Sequence, residues 1–301
     1  MLIKRGVAYM RWTPGGNSDD VEDRRDDSGS GGMQFGGVHL GIGGLIIVFV
    51  LSLLFHRNFF ALLGVGSGGA PTAVTQRDQP ARTEANRARD DSEKPEVQFV
   101  TFVLNDTQAT WTKILPSEGA LYHHARLVLF RNSIASGCGN AQSASGPFYC
   151  PEDEKVYIDL GFFDELKRRF GAPGEFAQAY VLAHEIGHHV QKLLGIESKA
   201  RTAQQRDPQS AKAISVRIEL QADCFAGIWA HSTEERHLLD AGDVDSALKA
   251  AAAVGDDRLQ RMSSGHVNPE TFTHGSSAQR TEWFQRGFKG GTVESCNTFQ
   301  N

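Results

Sequence analysis

Several things are scarce in this 301-residue chain, and each scarcity narrows the reading. It has no basic excess: 31 lysines and arginines stand against 36 acidic residues, a formal charge of −5. A nucleic-acid binder would show a basic face, so no nucleic-acid partner is expected. No internal repeat is visible, which excludes a repeat architecture. Cysteine is limited to four residues, none in the close Cys-x-x-Cys spacing of a structural zinc site. Long apolar runs are equally few. What remains, 40 % hydrophobic and 22 % charged, suits one medium-sized globular domain plus extras.

The extras lie at the N-terminus. Residues 1–37 are polar and glycine-rich, with too little apolar surface to offset ordering entropy, and read as a disordered cytoplasmic segment. The one long apolar run follows, "VHLGIGGLIIVFVLSLLF" from Val38 to Phe55, and "FFALLGVG" prolongs it. At 1.5 Å per residue it nearly spans a bilayer core of about 30 Å, so residues 38–63 read as a transmembrane anchor with the lipid bilayer as partner. A buried core helix fits less well between such polar flanks, and no small-x-small site follows that would mark a cleaved signal. Lys4, Arg5, Arg11, Arg24 and Arg25 precede the run, against Arg57 and the more distant Arg77 after it. The expectation is a single-pass inner-membrane protein, N-terminus cytoplasmic and the rest periplasmic or extracellular. Residues 64–95, rich in glycine, proline and charge, read as a flexible linker. Residues 96–301 alternate apolar and turn signals as a folded domain does.

All four cysteines fall in that domain. An even count in an oxidising compartment suggests two bridges, with three pairings open and four free thiols as the alternative. Cys138 and Cys150 bracket "GNAQSASGPFY", a loop a bridge would close well, which would leave Cys224 with Cys296.

The stretch "YVLAHEIGHHVQKLLG", residues 180–195, carries the chemistry. Pro173 and Glu175 suit a helix start and Gly195 a helix stop. Phe176, Ala179, Ala183, Ile186, Val190 and Leu193 recur at helical spacing, and Val181 and Leu182 are apolar too, so the helix should be central and buried. His184 and His188, four apart, stack on one face and can reach one metal ion. Glu185 stands about 100° round the helix, able to touch a water but not committed as a ligand. This is His-Glu-x-x-His, two zinc ligands and a general base. Buried imidazoles need partners, and a metal supplies one. His189 lies off the shared face, at the rim or behind the ligands.

A third ligand must come from elsewhere. "SVRIELQADCFAGIWAH", residues 215–231, reads as a second amphipathic helix with Glu219 and Asp223 four apart on one edge. Together with "VEDRRDDS", "CGNAQSASGPFYCPEDEKVYIDLGFFDELKRRFGAPGEFAQAYVLAHEIGHHVQKLLGI" and "RIELQADCFAGIWAH", it resembles the bacterial neutral zinc metallopeptidases with an N-terminal membrane helix, over most of residues 96–301. The pairing of "HEIGH" with "ELQAD" resembles Glu-zincins whose second motif is Glu-x-x-x-Asp. That resemblance implies Zn²⁺ as cofactor, Glu219 as third ligand, and Asp223 accepting the spare N–H of a ligand histidine. The reverse assignment of Glu219 and Asp223 stays open. It also implies translation from Met10, "MRWTPGG". "THGSSAQRTEWF", residues 273–284, opens a last helix with a Ser276–Gln279 capping box. His274 and Arg280 in His-x₅-Arg spacing are similar to a Glu-zincin pattern in which the histidine steadies the oxyanion. That pattern has proline after the histidine; this chain has Gly275.

"RLVLF" (126–130) and "KVYID" (155–159) read as strands, and "DTQATWTKILP" as helical. The expected fold is α+β, a zincin-like domain with a small sheet and a mostly helical C-terminal half. The expected activity is peptide-bond hydrolysis on a peptide or protein substrate. An inactive zinc-holding interaction module, or an amidase acting on non-peptide cell-envelope links, are the alternatives.

Overall fold

The computed structural model describes residues 10–14, 18–27, 84–143, 146–168 and 174–300. The chain enters through a short strand β1 (Val21–Asp23), then a long helix α1 (Glu84–Ile114). Strands β2 (Arg126–Phe130), β3 (Ser133–Ser136), β4 (Gly139–Gln142), β5 (Phe148–Cys150) and β6 (Lys155–Asp159) follow. The remainder is helical: α2 (Gly161–Arg168), α3 (Glu175–Leu193), α4 (Ile196–Arg206), α5 (Ala211–Glu235), α6 (Asp243–Ala253), α7 (Asp256–Ser264) and α8 (Ser277–Gly290). This is the mixed α+β architecture expected, a small sheet followed by a helical half. The four-stranded sheet has the order β1-β2-β6-β5, with β5 antiparallel to β6 and the other neighbours parallel. β3 and β4 form a separate antiparallel hairpin.

β2 and β6 are buried nearly throughout because they are the two central strands of the sheet. α3 is buried along most of its length, packed between α1, α5 and α6. Its apolar circumference is what such a position demands. α8 crosses α5 at a distance only glycine permits: a Cβ at Gly287 would run into the Cys224 carbonyl, and one at Gly227 into that of Phe284. Phe176 of α3 stacks on Trp229 of α5 at 5.5 Å between ring centroids. Disulfides join Cys138 to Cys150 and Cys224 to Cys296, the pairing that loop closure favours.

Two expectations at the N-terminus are corrected. Within residues 1–37, the described parts are ordered against the domain. Val21–Asp23 pairs with Leu127–Leu129, Met10 is buried, and the Arg11 N–H donates to the Leu238 carbonyl at 2.7 Å. Arg25 and Arg131 share the carboxylate of Glu93 (2.7 and 2.6 Å), and Arg131 also reaches Asp90 at 2.7 Å. A charged segment with little apolar surface is thus ordered by ladder hydrogen bonds and ion pairs to distant residues. The expected linker 64–95 is helical from Glu84 onward, through Pro95. Proline weakens a helix interior, but the Arg25–Arg131 network fixes this part of α1 from outside.

The membrane expectation is corrected as well. Among the described residues no helix is long and apolar enough to cross a membrane; the run 38–63 lies outside them. A single pass through that run would put residues 1–37 and 96–301 on opposite sides of a bilayer. Instead Val21–Asp23 belongs to the same sheet as Arg126–Phe130. The single-pass placement is therefore not supported.

Candidate metal centre

α3 and α5 run side by side and present three side chains to one point. His184 Nε2 stands 3.3 Å from one carboxylate oxygen of Glu219, and His188 Nε2 stands 3.6 Å from the other. One ligand atom from each residue lies within 4.8 Å of the others. Gly187, between the two histidines, meets the Ala222 backbone, where even a Cβ would come within 3.0 Å of its carbonyl oxygen. That close approach brings Glu219 within reach of α3.

The hydrogen bonds behind the histidines fix their tautomers. His184 Nδ1–H donates to Asp223 Oδ1 at 2.9 Å. His188 Nδ1–H donates to Gln191 Oε1 at 2.9 Å, and the Gln191 amide is oriented by donating to the Ile218 carbonyl (2.7 Å) and Gln221 Oε1 (3.1 Å). With both Nδ1 atoms donating, the imidazoles in their neutral form would turn unprotonated Nε2 lone pairs toward a carboxylate. Three acceptors facing one another with no donor between them repel unless a cation or added protons intervene. The 3.3 and 3.6 Å separations are close to the roughly 3.3–3.4 Å edge of a tetrahedron with zinc–ligand bonds of about 2.0–2.1 Å. His, His and Glu are also the donor set of a catalytic rather than a structural zinc. The residues present therefore fit the ion.

The electrostatics agree. Burial opposes the charged form of His184, yet Asp223 and Glu219 outweigh it and push its pKa up to about 9. Burial would raise Glu219, but His188 and His184 pull it below the usual carboxylate range. Asp223 is fully buried and likewise held ionised, chiefly by Arg280 and His184 against its burial.

Arg280 is buried behind His184, on Asp223. Its Nε and Nη2 each donate to Asp223 at 2.8 Å, one to each oxygen, and Nη2 also reaches the Tyr180 hydroxyl at 3.2 Å. The Tyr180 hydroxyl donates to Asp223 Oδ1 at 2.5 Å. Arg280 thus grips the carboxylate that grips His184. His189 is also away from the centre. It is buried, its Nε2–H donating to the His123 carbonyl (2.6 Å) and its Nδ1 accepting from Tyr149 (2.9 Å), which ties α3 to β5.

His274 precedes α8, whose Ser276–Gln279 capping box is present as expected. Its ring Nδ1 lies 3.2 Å from Asp256 Oδ1. The other oxygen of Asp256 accepts backbone N–H groups from Thr273 (2.7 Å), His274 (2.6 Å) and Gly275 (3.1 Å). Burial works against a charged His274, but Asp256 and Glu219 raise its pKa. Gly275 has φ +90°, which proline cannot adopt, and donates a hydrogen bond proline lacks. The departure from the Glu-zincin pattern is thus built into this turn. Asp256, Gln191 and Tyr180 were not singled out by the sequence. Only Asp256, at the N-cap side of a short helix, carried even a local signal.

Glu185 points from α3 into a cleft of about 710 Å³ that also receives His184, His188, Glu219 and His274. One wall is β5, with Phe148 and Tyr149; another is α7, with Leu259 and Met262.

The family model described as "Putative neutral zinc metallopeptidase" matches residues 10–299. The uncharacterized protein YpfJ of Escherichia coli K12 is 46 % identical over 294 residues, 96 % of this chain and 99 % of that protein. The uncharacterized protein Rv2575 of Mycobacterium tuberculosis H37Rv is 46 % identical over 206 residues, 65 % of this chain and 68 % of that one. No solved structure matches the chain.

Proposed function

Because the chain belongs to this zinc metallopeptidase family, we propose that it hydrolyses peptide bonds, with zinc held by His184, His188 and Glu219. The observation that carries the reading is the convergence of two Nε2 atoms and the Glu219 carboxylate beside the Glu185 carboxylate in one cleft. Zinc bound by such a donor set supplies Lewis acidity, lowering the pKa of a water from 15.7 to about 7. Asp223 and Gln191 hold the imidazoles in the tautomer that offers Nε2. The Glu185 carboxylate takes the proton of the attacking water and returns it to the nitrogen of the leaving amine. His274, with Nδ1–H on Asp256 and the charged form favoured by Asp256 and Glu219, has Nε2–H to donate to the developing oxyanion. Losing such a donor costs about 10²–10³ in rate. Arg280 acts as a positioning residue through Asp223.

β5 closes one end of the described sheet. An extended peptide could pair along its free edge, beside the cleft. A helix bearing two ligands under a small sheet, with the third ligand from the next long helix, supports a zincin-like fold. The test is Glu185→Gln in zinc-loaded protein, assayed on casein and a mixed peptide library. Wild type is expected to cleave; the variant is expected to keep its zinc and lose cleavage. A wild type that folds, binds zinc and cleaves neither substrate would refute the reading in favour of a non-catalytic zinc module.

A further inference from the structure

One wall of the cleft, beside the charged centre, has a composition that the hydrolytic reading leaves unused. Val181 lies one turn before His184 on the same face of α3. Val254 is the C-cap just after α6, and Leu259 and Met262, three apart on α7, complete the wall. All four are apolar. Val254 and Leu259 are only partly buried, and Met262 is 51 % exposed, one of four large exposed hydrophobic residues among those described. The other carboxylates of the cleft, Glu165 on α2 and Glu197 on α4, stand on different elements, and Glu197 is engaged by Arg201 at 2.7 Å. Val254, Leu259 and Met262 are therefore uncharged contact surface that the domain's own packing leaves partly uncovered, while Val181 beside them is itself buried. The wall is also tied to the reacting centre at both ends: Val181 through the turn it shares with His184, and α7 through Asp256, which holds His274.

From this placement we infer that Val181, Val254, Leu259 and Met262 form the subsite for a large apolar side chain of the substrate, on a residue flanking the scissile bond. This deepens, and for cleavage rests on, the peptidase reading. Methionine at the open lip is the side chain best able to adapt to aliphatic and aromatic occupants, being unbranched and polarizable. An apolar subsite covered by the bound substrate discriminates against charge, because a charged group there would leave water without a partner.

The experiment has a cleavage arm and a binding arm. In the first, zinc-loaded wild type and Met262→Lys, matched for zinc content, cut a peptide library of mixed sequence, and cut sites are read by mass spectrometry. Wild type should favour Leu, Phe or Met at one flanking position by at least about tenfold over Asp or Lys. Met262→Lys should lose that preference and gain cuts at Asp or Glu. Cleavage with no apolar preference, or with an unchanged profile in Met262→Lys, overturns the subsite while leaving the peptidase reading intact. In the second arm, zinc-loaded Glu185→Gln binds fluorescein-labelled peptides differing only by Leu or Asp at the central position, followed by anisotropy. Tighter binding of the Leu peptide, weakened by Met262→Lys, supports the subsite even if wild type cleaves nothing. Equal binding of both peptides overturns it.

Discussion

Replacing Arg280 by methionine separates two readings of this residue. The side chain is 4 % exposed, and both hydrogen bonds it makes to Asp223 are 2.8 Å long, with Asp223 itself fully buried. Methionine keeps much of the bulk but leaves the carboxylate with only the Tyr180 hydroxyl and His184 Nδ1–H as donors. Removing one partner of a buried ion pair costs about 3–5 kcal/mol, because the remaining charge is uncompensated. For a domain of this size each kcal/mol shifts the melting temperature by about 2–4 °C, so a fall of roughly 6–20 °C is expected in the metal-free protein. An Asp223 that can no longer hold His184 squarely should also weaken zinc binding by about 10–100-fold, the usual effect of losing a group behind a ligand. The measurements are thermal unfolding with and without zinc, zinc affinity by competition with a chelator, and cleavage rate per bound zinc. If Arg280→Met melts and binds zinc like wild type but loses rate alone, the clamp argument fails. The guanidinium would then be acting on the transition state.

Three further outcomes follow. Metal-free His184, with its pKa raised to about 9, binds a proton at neutral pH that zinc must displace; zinc affinity should therefore rise about tenfold per pH unit up to about 9 and then level off, with one proton released per zinc in calorimetry at pH 7. A pH-independent affinity would contradict it. Gly275→Pro should destabilise the domain by about 3 kcal/mol or more, since φ +90° is closed to proline and one of the three N–H donors to Asp256 is lost; unchanged denaturant unfolding would show that the turn is not as described. Deleting residues 10–27 removes β1, the buried Met10 and the Arg25 partner of Glu93, and should lower the melting temperature by at least about 5 °C; a truncated protein as stable as the full chain would mean this segment contributes nothing to the fold.

What could be read in the sequence was what one helix dictates locally. His184, Glu185 and His188 declare themselves because a spacing of four is a shared face; Glu219 and Asp223 share an edge by the same spacing, but their roles come only from the resemblance of "ELQAD" to the Glu-x-x-x-Asp motif. The Ser276–Gln279 box marks its helix start by residue type alone. Arg280 was visible as a residue but not in its role, because its partner Asp223 lies 57 positions earlier. Gln191 holding His188 could be inferred only with its own anchors on α5 in view. The N-terminal segment misled for a related cause. Its ordering comes from Leu127–Leu129, Asp90 and Glu93, none of which its own composition announces. The apolar run beside it then invited a topology that the β1–β2 pairing does not support.

That pairing also sets a timetable. Asp23 faces Leu129, more than a hundred residues further along the chain. At about 5–20 residues per second of synthesis, the first strand to leave the ribosome waits several seconds before its neighbour exists. Until then it has only charge and solvation to keep it from a wrong companion, and its dense acidic and basic side chains are well suited to that wait.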